Sequence, residues 1–302
     1  METSFETKPA LEGAGGRTRS RPVVLLSANG RLRVRSALRL VRREVMAALR
    51  GPSVYLMVTL ACLVAAVIVK SYLDFVADSG TLVLAAPLNA PLLFAVLAMT
   101  GYLGLLAAAG LAGERERGTL EVLFYGPVDA LAYIGGKMLG HLVIYVLAIA
   151  ALAVFLGLTS FLTGIPLGNT TLLLLAASTI PAASMIALGL LLAALVGRIR
   201  PALAAMALAM AIFIAVDAGN EIAASQPGDT LLGSAAGLLS ALAALTGWIS
   251  PFSYLWRAED SVVLGSGAGA LIALGAALLY GLLLTGLSIV ALRSRGVQRW
   301  RE

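Results

Sequence analysis

Residues 114–123 read Glu-Arg-Glu-Arg-Gly-Thr-Leu-Glu-Val-Leu and stand between two long apolar runs. Five charges fall within eight positions: Glu114, Arg115, Glu116, Arg117 and Glu121. At the centre of a bilayer each would cost about 2.5–3.5 kcal/mol on an insertion scale. The segment must therefore leave the membrane on one side, as a short charged loop between two spanning helices. Such a loop is a grip for a soluble partner, because alternating signs confer specificity and orientation more than raw affinity.

Composition extends this reading to the whole chain. Of 302 residues, 60% are hydrophobic and only 13% charged, against about 25% charged in soluble domains. The apolar runs are continuous and rich in Leu and Ala, which excludes a β-barrel with its alternating short segments. The fold class expected is an all-α polytopic membrane protein. Six spans are predicted at about 53–73, 89–112, 138–163, 171–196, 201–217 and 268–292, since about 20 residues at 1.5 Å each cross a 30 Å core. Pro181 should kink the fourth. Asp217, Asn220 and Glu221 follow the fifth at once and are candidates for a polar outer gate.

Residues 231–249 are apolar and long enough to span. A seventh span would put Arg293, Arg295, Arg299 and Arg301 on the side opposite the basic N-terminus. All but Lys70 and Arg257 of the 22 Lys and Arg otherwise lie on one side, which the positive-inside rule makes cytoplasmic. Residues 218–262 are therefore read as an outer-face helical pair, partly re-entrant, with Trp248, Tyr254 and Trp256 in an interfacial belt. Both termini are expected in the cytoplasm and the protein in the cell's inner (plasma) membrane.

Residues 1–30 are polar, lack the apolar core of a signal peptide, and read as a disordered cytoplasmic tail. Residues 31–51 follow as an amphipathic elbow helix: Val34, Leu38, Val41, Val45 and Leu49 form one stripe. Arg39, Arg42, Arg43 and Glu44 belong to its polar side, which suits a helix lying in the headgroup plane. Gly51-Pro52 ends it. The transmembrane domain is 52–292, with a charged loop at 113–137, and 293–302 form a basic tail. In the loop, Gly118 breaks the incoming helix, Thr119 can cap a new one, Gly126-Pro127 turns, and Asp129 can cap the helix into span three.

This loop resembles that of permease subunits of ABC-2 type ATP-binding-cassette transporters. The matching residues are Glu114, Arg117, Gly118, Thr119, Leu120, Glu121, Pro127, Gly136 and Lys137, and Ser-Pro-Phe-Ser-Tyr at 250–254 is similar to the family as well. The resemblance implies a half-transporter that pairs with a second permease copy, as homo- or heterodimer, through spans one and five. It also implies docking of a cytoplasmic ABC ATPase through a coupling helix in the loop (Glu114–Glu121, with Pro127 and Lys137) and through the elbow. ATP and Mg would be held by that partner, with no cofactor or metal on this chain. Export is the expected direction.

Independently of the resemblance, no phosphate loop Gly-x-x-x-x-Gly-Lys-Ser/Thr occurs: Gly135-Gly136-Lys137 precedes Met138. Hydrolysis is thus expected elsewhere and the chain is expected to be non-catalytic. His141 is the one histidine and reads as a hydrogen-bonded interhelical residue rather than a base. Cys62 reads as a small buried apolar residue. Nucleic-acid binding is not expected, because the arginines flank spans without any recognition motif. The nearly uncharged spans favour a lipidic or amphiphilic cargo. The alternative is a non-transporting membrane component that passes ATPase motion to an outer-face, periplasmic partner during assembly or maturation.

Overall fold

The computed structural model describes residues 25–80, 87–120, 129–225 and 236–296. Ten helices account for nearly all of them: α1 (Leu25–Arg50), α2 (Pro52–Ser79), α3 (Asn89–Glu116), α4 (Ala130–Thr163), α5 (Asn169–Ala177), α6 (Thr179–Val196), α7 (Ile199–Ser225), α8 (Ala236–Ile249), α9 (Pro251–Val263) and α10 (Gly267–Gly296). Six are long and apolar enough to cross a membrane, with α5 and α6 counted as one broken span. The expected all-helical, six-span architecture is what the chain adopts.

Several boundaries differ from the expected ones for local reasons. The elbow helix starts at Leu25, inside the stretch expected to be a disordered tail. Helix α4 starts at Ala130, because the Asp129 carboxylate accepts the Ala132 N–H at 3.0 Å and caps it. The fourth span breaks at Ser178, three residues before Pro181. Pro181 cannot donate to the carbonyl four residues back, and the Ser178 hydroxyl turns back to the Leu175 carbonyl at 2.6 Å. Helix α7 does not stop at 217. It continues to Ser225, so Asp217, Asn220 and Glu221 are helical.

Helices α3 and α6 form the centre, each with 61% of its apolar window buried. Lipid tails are as apolar as leucine, so burial does not drive helices together inside a bilayer; close contact between small residues does. Gly104 and Gly189 supply that contact. A Cβ on Gly189 would lie 2.2 Å from the Gly104 carbonyl oxygen. On α3, Gly101 and Gly104 receive the Met210 and Met206 side chains of α7. Helix α10 lies along α6, where the Ser184 hydroxyl donates to the Ala277 carbonyl at 2.8 Å. Helices α2 and α7 flank α3, and α1 lies on α4.

Helices α8 and α9 meet at an angle of 100°, with Pro251 opening the second. The Tyr254 hydroxyl closes the corner by donating to the Trp248 carbonyl at 2.6 Å. Phe252, Leu255 and Trp256 share one small cavity with Val96, Thr100 and Pro181. Thr100 lies 11 residues into α3, roughly 16 Å along its axis at 1.5 Å per residue. The pair therefore forms a V whose point reaches well into the bundle.

Candidate coupling site

The elbow helix is held on α4 by two glycines one turn apart. A Cβ on Gly136 would approach Leu40 Cβ to 3.1 Å, and one on Gly140 would approach Glu44 Cβ to 3.0 Å. Gly136-Lys137-Met138-Leu139-Gly140 is thus a small-xxx-small groove in which α1 lies. Its buried side carries Leu40 rather than Leu38, which is 59% exposed. Arg39 and Arg42 point to solvent.

Close packing along that groove brings four of the expected site residues together. Lys137, only 1% exposed, donates to Glu44 Oε1 at 2.8 Å and lies 3.3 Å from Glu114 Oε1. Arg43 reaches the same two carboxylates, at 3.2 Å for Glu44 and 2.6 Å for Glu114. The Tyr133 hydroxyl donates to Glu114 Oε2. Gly110 makes room for the ammonium: a Cβ there would sit 3.5 Å from Lys137 Nζ. Two cations and two anions therefore balance in one node joining α1, α3 and α4.

Burial alone would raise the pKa of Glu44. The charge and hydrogen bond of Lys137, together with the Arg43 bond and His141, outweigh it and hold the carboxyl below its ordinary value. Burial likewise opposes charge on Arg43, but Glu114 and Glu44 keep its pKa above the ordinary one. His141, one turn beyond Lys137, is buried and bonds the Lys137 carbonyl of its own helix through Nδ1 at 2.8 Å. That bond is intrahelical, not the interhelical one expected. Among the described residues no cluster of three His, Cys, Asp or Glu could hold a metal.

The neighbouring charges grip a different corner. Arg115 Nη1 donates to the Ala194 carbonyl at 2.8 Å, in the last turn of α6. Glu116 Oε2 accepts the Ile199 N–H at 3.0 Å, at the start of α7. A cation thus meets a helix C-terminus and an anion a helix N-terminus, each matching the local dipole. Gly197, at φ +75°, forms the turn between them, and a Cβ there would fall 3.0 Å from the Arg115 guanidinium carbon.

Arg117 alone of the four charges at 114–117 faces outward without a described side-chain partner, and it is exposed. Gly118 then reverses the chain at φ +70°, a conformation that favours glycine. The Thr119 hydroxyl donates back to the Glu114 carbonyl at 2.9 Å and so closes the end of the incoming helix. Leu120 is buried. Glu121 and Pro127 lie outside the described residues. Lys137, expected at the end of the loop, lies two turns inside α4.

At the other end, Asp217, Asn220 and Glu221 share one face of the last turns of α7. Asp217 and Asn220 are half-buried and Glu221 is exposed. The Asp217 carboxylate feels the charges of Glu221 and of Arg257 on α9.

The family model of the ABC-2 type transporter matches residues 36–216, from within the elbow helix into the fifth span. The chain belongs to the ABC-2 type transporter family. It is the permease component of such a transporter and a multi-pass membrane protein. No curated protein matches it. The node and the α6–α7 corner both fall inside the matched segment of this ABC-2 permease, whereas Asp217, α8, α9 and α10 lie beyond it. Tyr133, Gly110 of α3 and the groove glycine Gly140 are not among the expected site residues. The Gly-x-x-x-Gly spacing in an apolar helix was the signal that could have located the α1 contact.

Proposed function

We propose that this permease couples ATP hydrolysis by a separate cytoplasmic ATPase to export of a lipidic or amphiphilic substrate, working with a second permease copy. The ATPase holds ATP and Mg, and this chain performs no catalysis. Both termini lie in the cytoplasm and the host membrane is the plasma membrane. The observation that carries this reading is the node Arg43–Glu44–Glu114–Lys137. It ties the elbow helix, the inner end of span two and the start of span three into one unit, while Arg117 and Gly118 project from that unit. A partner pressing on the projecting turn moves all three helices together, and the α6–α7 corner follows through Arg115 and Glu116.

Sparse charge inside the bundle supports an amphiphilic cargo, because charged groups occur only toward the span ends. Binding of a highly charged small solute to the purified complex would count against it. The coupling assignment is tested by Arg117→Glu combined with Glu121→Lys. Arg117 forms none of the described bonds of the node, so insertion should persist while the ATPase no longer co-purifies. Retention of the ATPase would overturn the assignment. Reconstitution separates transport from the assembly alternative: ATP-dependent cargo movement supports the first, and turnover gated by a periplasmic protein without flux supports the second.

A further inference from the structure

A groove of about 320 Å³ runs between α9 and the outer half of α10, with Trp248 of α8 at its rim. Both signs of charge line it. Arg257 and Asp260 stand three residues apart on α9 and so share a face. Such neighbours ordinarily close on each other. Here neither forms an ion pair or a side-chain hydrogen bond among the described residues, and the charge nearest in effect to Arg257 is Asp217 on α7. Arg257 instead lies against Trp248, 4.9 Å from the ring centroid, and Tyr254, 5.9 Å away, a cation–π arrangement that holds the guanidinium in place. Gly247 permits it, since a Cβ there would come within 2.5 Å of the guanidinium. Cation and anion are thus kept apart across an open space.

The wall opposite is apolar. Gly269, Ala273 and Ala276 leave a slot along α10. It opens onto Leu264, just past the end of α9, and Ile272 of α10, which are 82% and 73% exposed. A ligand matching these walls carries a negative and a positive group close together and an apolar chain. We propose that the groove binds a zwitterionic phospholipid with a primary amine, the phosphodiester on Arg257, the ammonium on Asp260 and an acyl chain in the slot. Arg suits a phosphate through paired N–H donors. A primary ammonium donates hydrogen bonds to a carboxylate, which a trimethylammonium group cannot do. Phosphatidylglycerol puts neutral hydroxyls where the ammonium would sit, leaves the Asp260 charge uncompensated beside its own phosphodiester, and is disfavoured. The ligand class follows from the groove alone. Its assignment to the outer leaflet rests on the topology proposed above.

The test uses the full-length permease purified from bilayers of mixed phosphatidylethanolamine, phosphatidylcholine and phosphatidylglycerol, with retained lipid read by native mass spectrometry. One phosphatidylethanolamine should be retained in preference to the other two. Arg257→Gln and Asp260→Asn should each lower its retention at least about tenfold, the scale of losing one charge-assisted hydrogen bond. Asp260→Asn, an exposed position whose change leaves packing intact, should also raise phosphatidylglycerol relative to phosphatidylethanolamine. An excess of soluble phosphoethanolamine should not displace the lipid, because it lacks the chain that fills the slot. Equal retention of all three lipids, an unchanged lipid ratio in Asp260→Asn, or displacement by phosphoethanolamine would each overturn the proposal. None of these readouts depends on ATPase binding, so failure of the coupling assignment leaves the test intact.

Discussion

Lys137→Met removes the one fully buried cation of the node and keeps its apolar stem. The two cations and two carboxylates then become one cation and two carboxylates, with Glu44 and Glu114 both 19% exposed. Breaking a buried pair costs about 3–5 kcal/mol. Arg43 stays bonded to Glu114 and water reaches both carboxylates, so the lower end applies, about 3 kcal/mol. For a chain of this size, roughly 2–4 °C of melting temperature accompanies each kcal/mol, giving a fall of about 6–12 °C. The assay is thermal unfolding of the purified permease in a mild detergent. Glu44→Gln with Lys137→Met restores neutrality and keeps the Arg43–Glu114 pair. That double variant should recover roughly 1–3 kcal/mol relative to the sum of the single losses. Strict additivity, or an unchanged melting temperature in Lys137→Met, would refute a coupled node and with it the mechanical link between elbow and span two.

Glu44 also predicts an acid limb. Its pKa is lowered in the folded protein, so its contribution is complete above the ordinary value of 4.5 and is lost as pH falls through the folded value; Glu44→Gln should flatten the melting temperature against pH in that window. Gly189→Ala drives a Cβ onto the Gly104 carbonyl and should cost about 1–3 kcal/mol as overpacking, whereas Gly275→Ala, with nothing within 4 Å, should leave the melting temperature unchanged or higher. Arg115→Met removes a charged donor from the end of α6 and should cost about 1.5–3 kcal/mol; hydrogen exchange should show faster opening at residues 193–199 before any other inner segment, and uniform exchange would argue against the cap.

Hydropathy revealed the six spans because continuous apolar length is the one property a bilayer demands of each of them. It misjudged the fifth, since polar Asp217 and Asn220 look like an end although nothing about a solvated carboxylate stops a helix. Loop chemistry was legible where a residue acts on its own backbone. Asp129 caps α4 and Gly118 turns the chain for reasons visible in the residue itself. What the charges bond to was not legible. Glu114, Arg115 and Glu116 read as an outward array, but their partners lie 71, 79 and 83 positions away, and only the packing of α1 into the Gly136–Gly140 groove and of α3 against α6 brings those groups within reach. Lys137 reads from the sequence as the end of the charged loop; two carboxylates around it are what make its burial inside α4 tolerable.

Arg115 and Glu116 are consecutive residues, yet one holds the tail of α6 and the other the head of α7. Adjacent side chains on a rigid helix cannot be displaced independently, so neither of those helices can shift at its inner end without carrying the tip of α3. The ends of spans two, four and five at this corner must therefore travel as a single rigid block. At its opposite end α3 is tied to span four by the buried Thr171–Asn89 hydrogen bond at 2.8 Å, so separation of α3 from its neighbours is easiest between those two ties, where apolar and glycine contacts hold it.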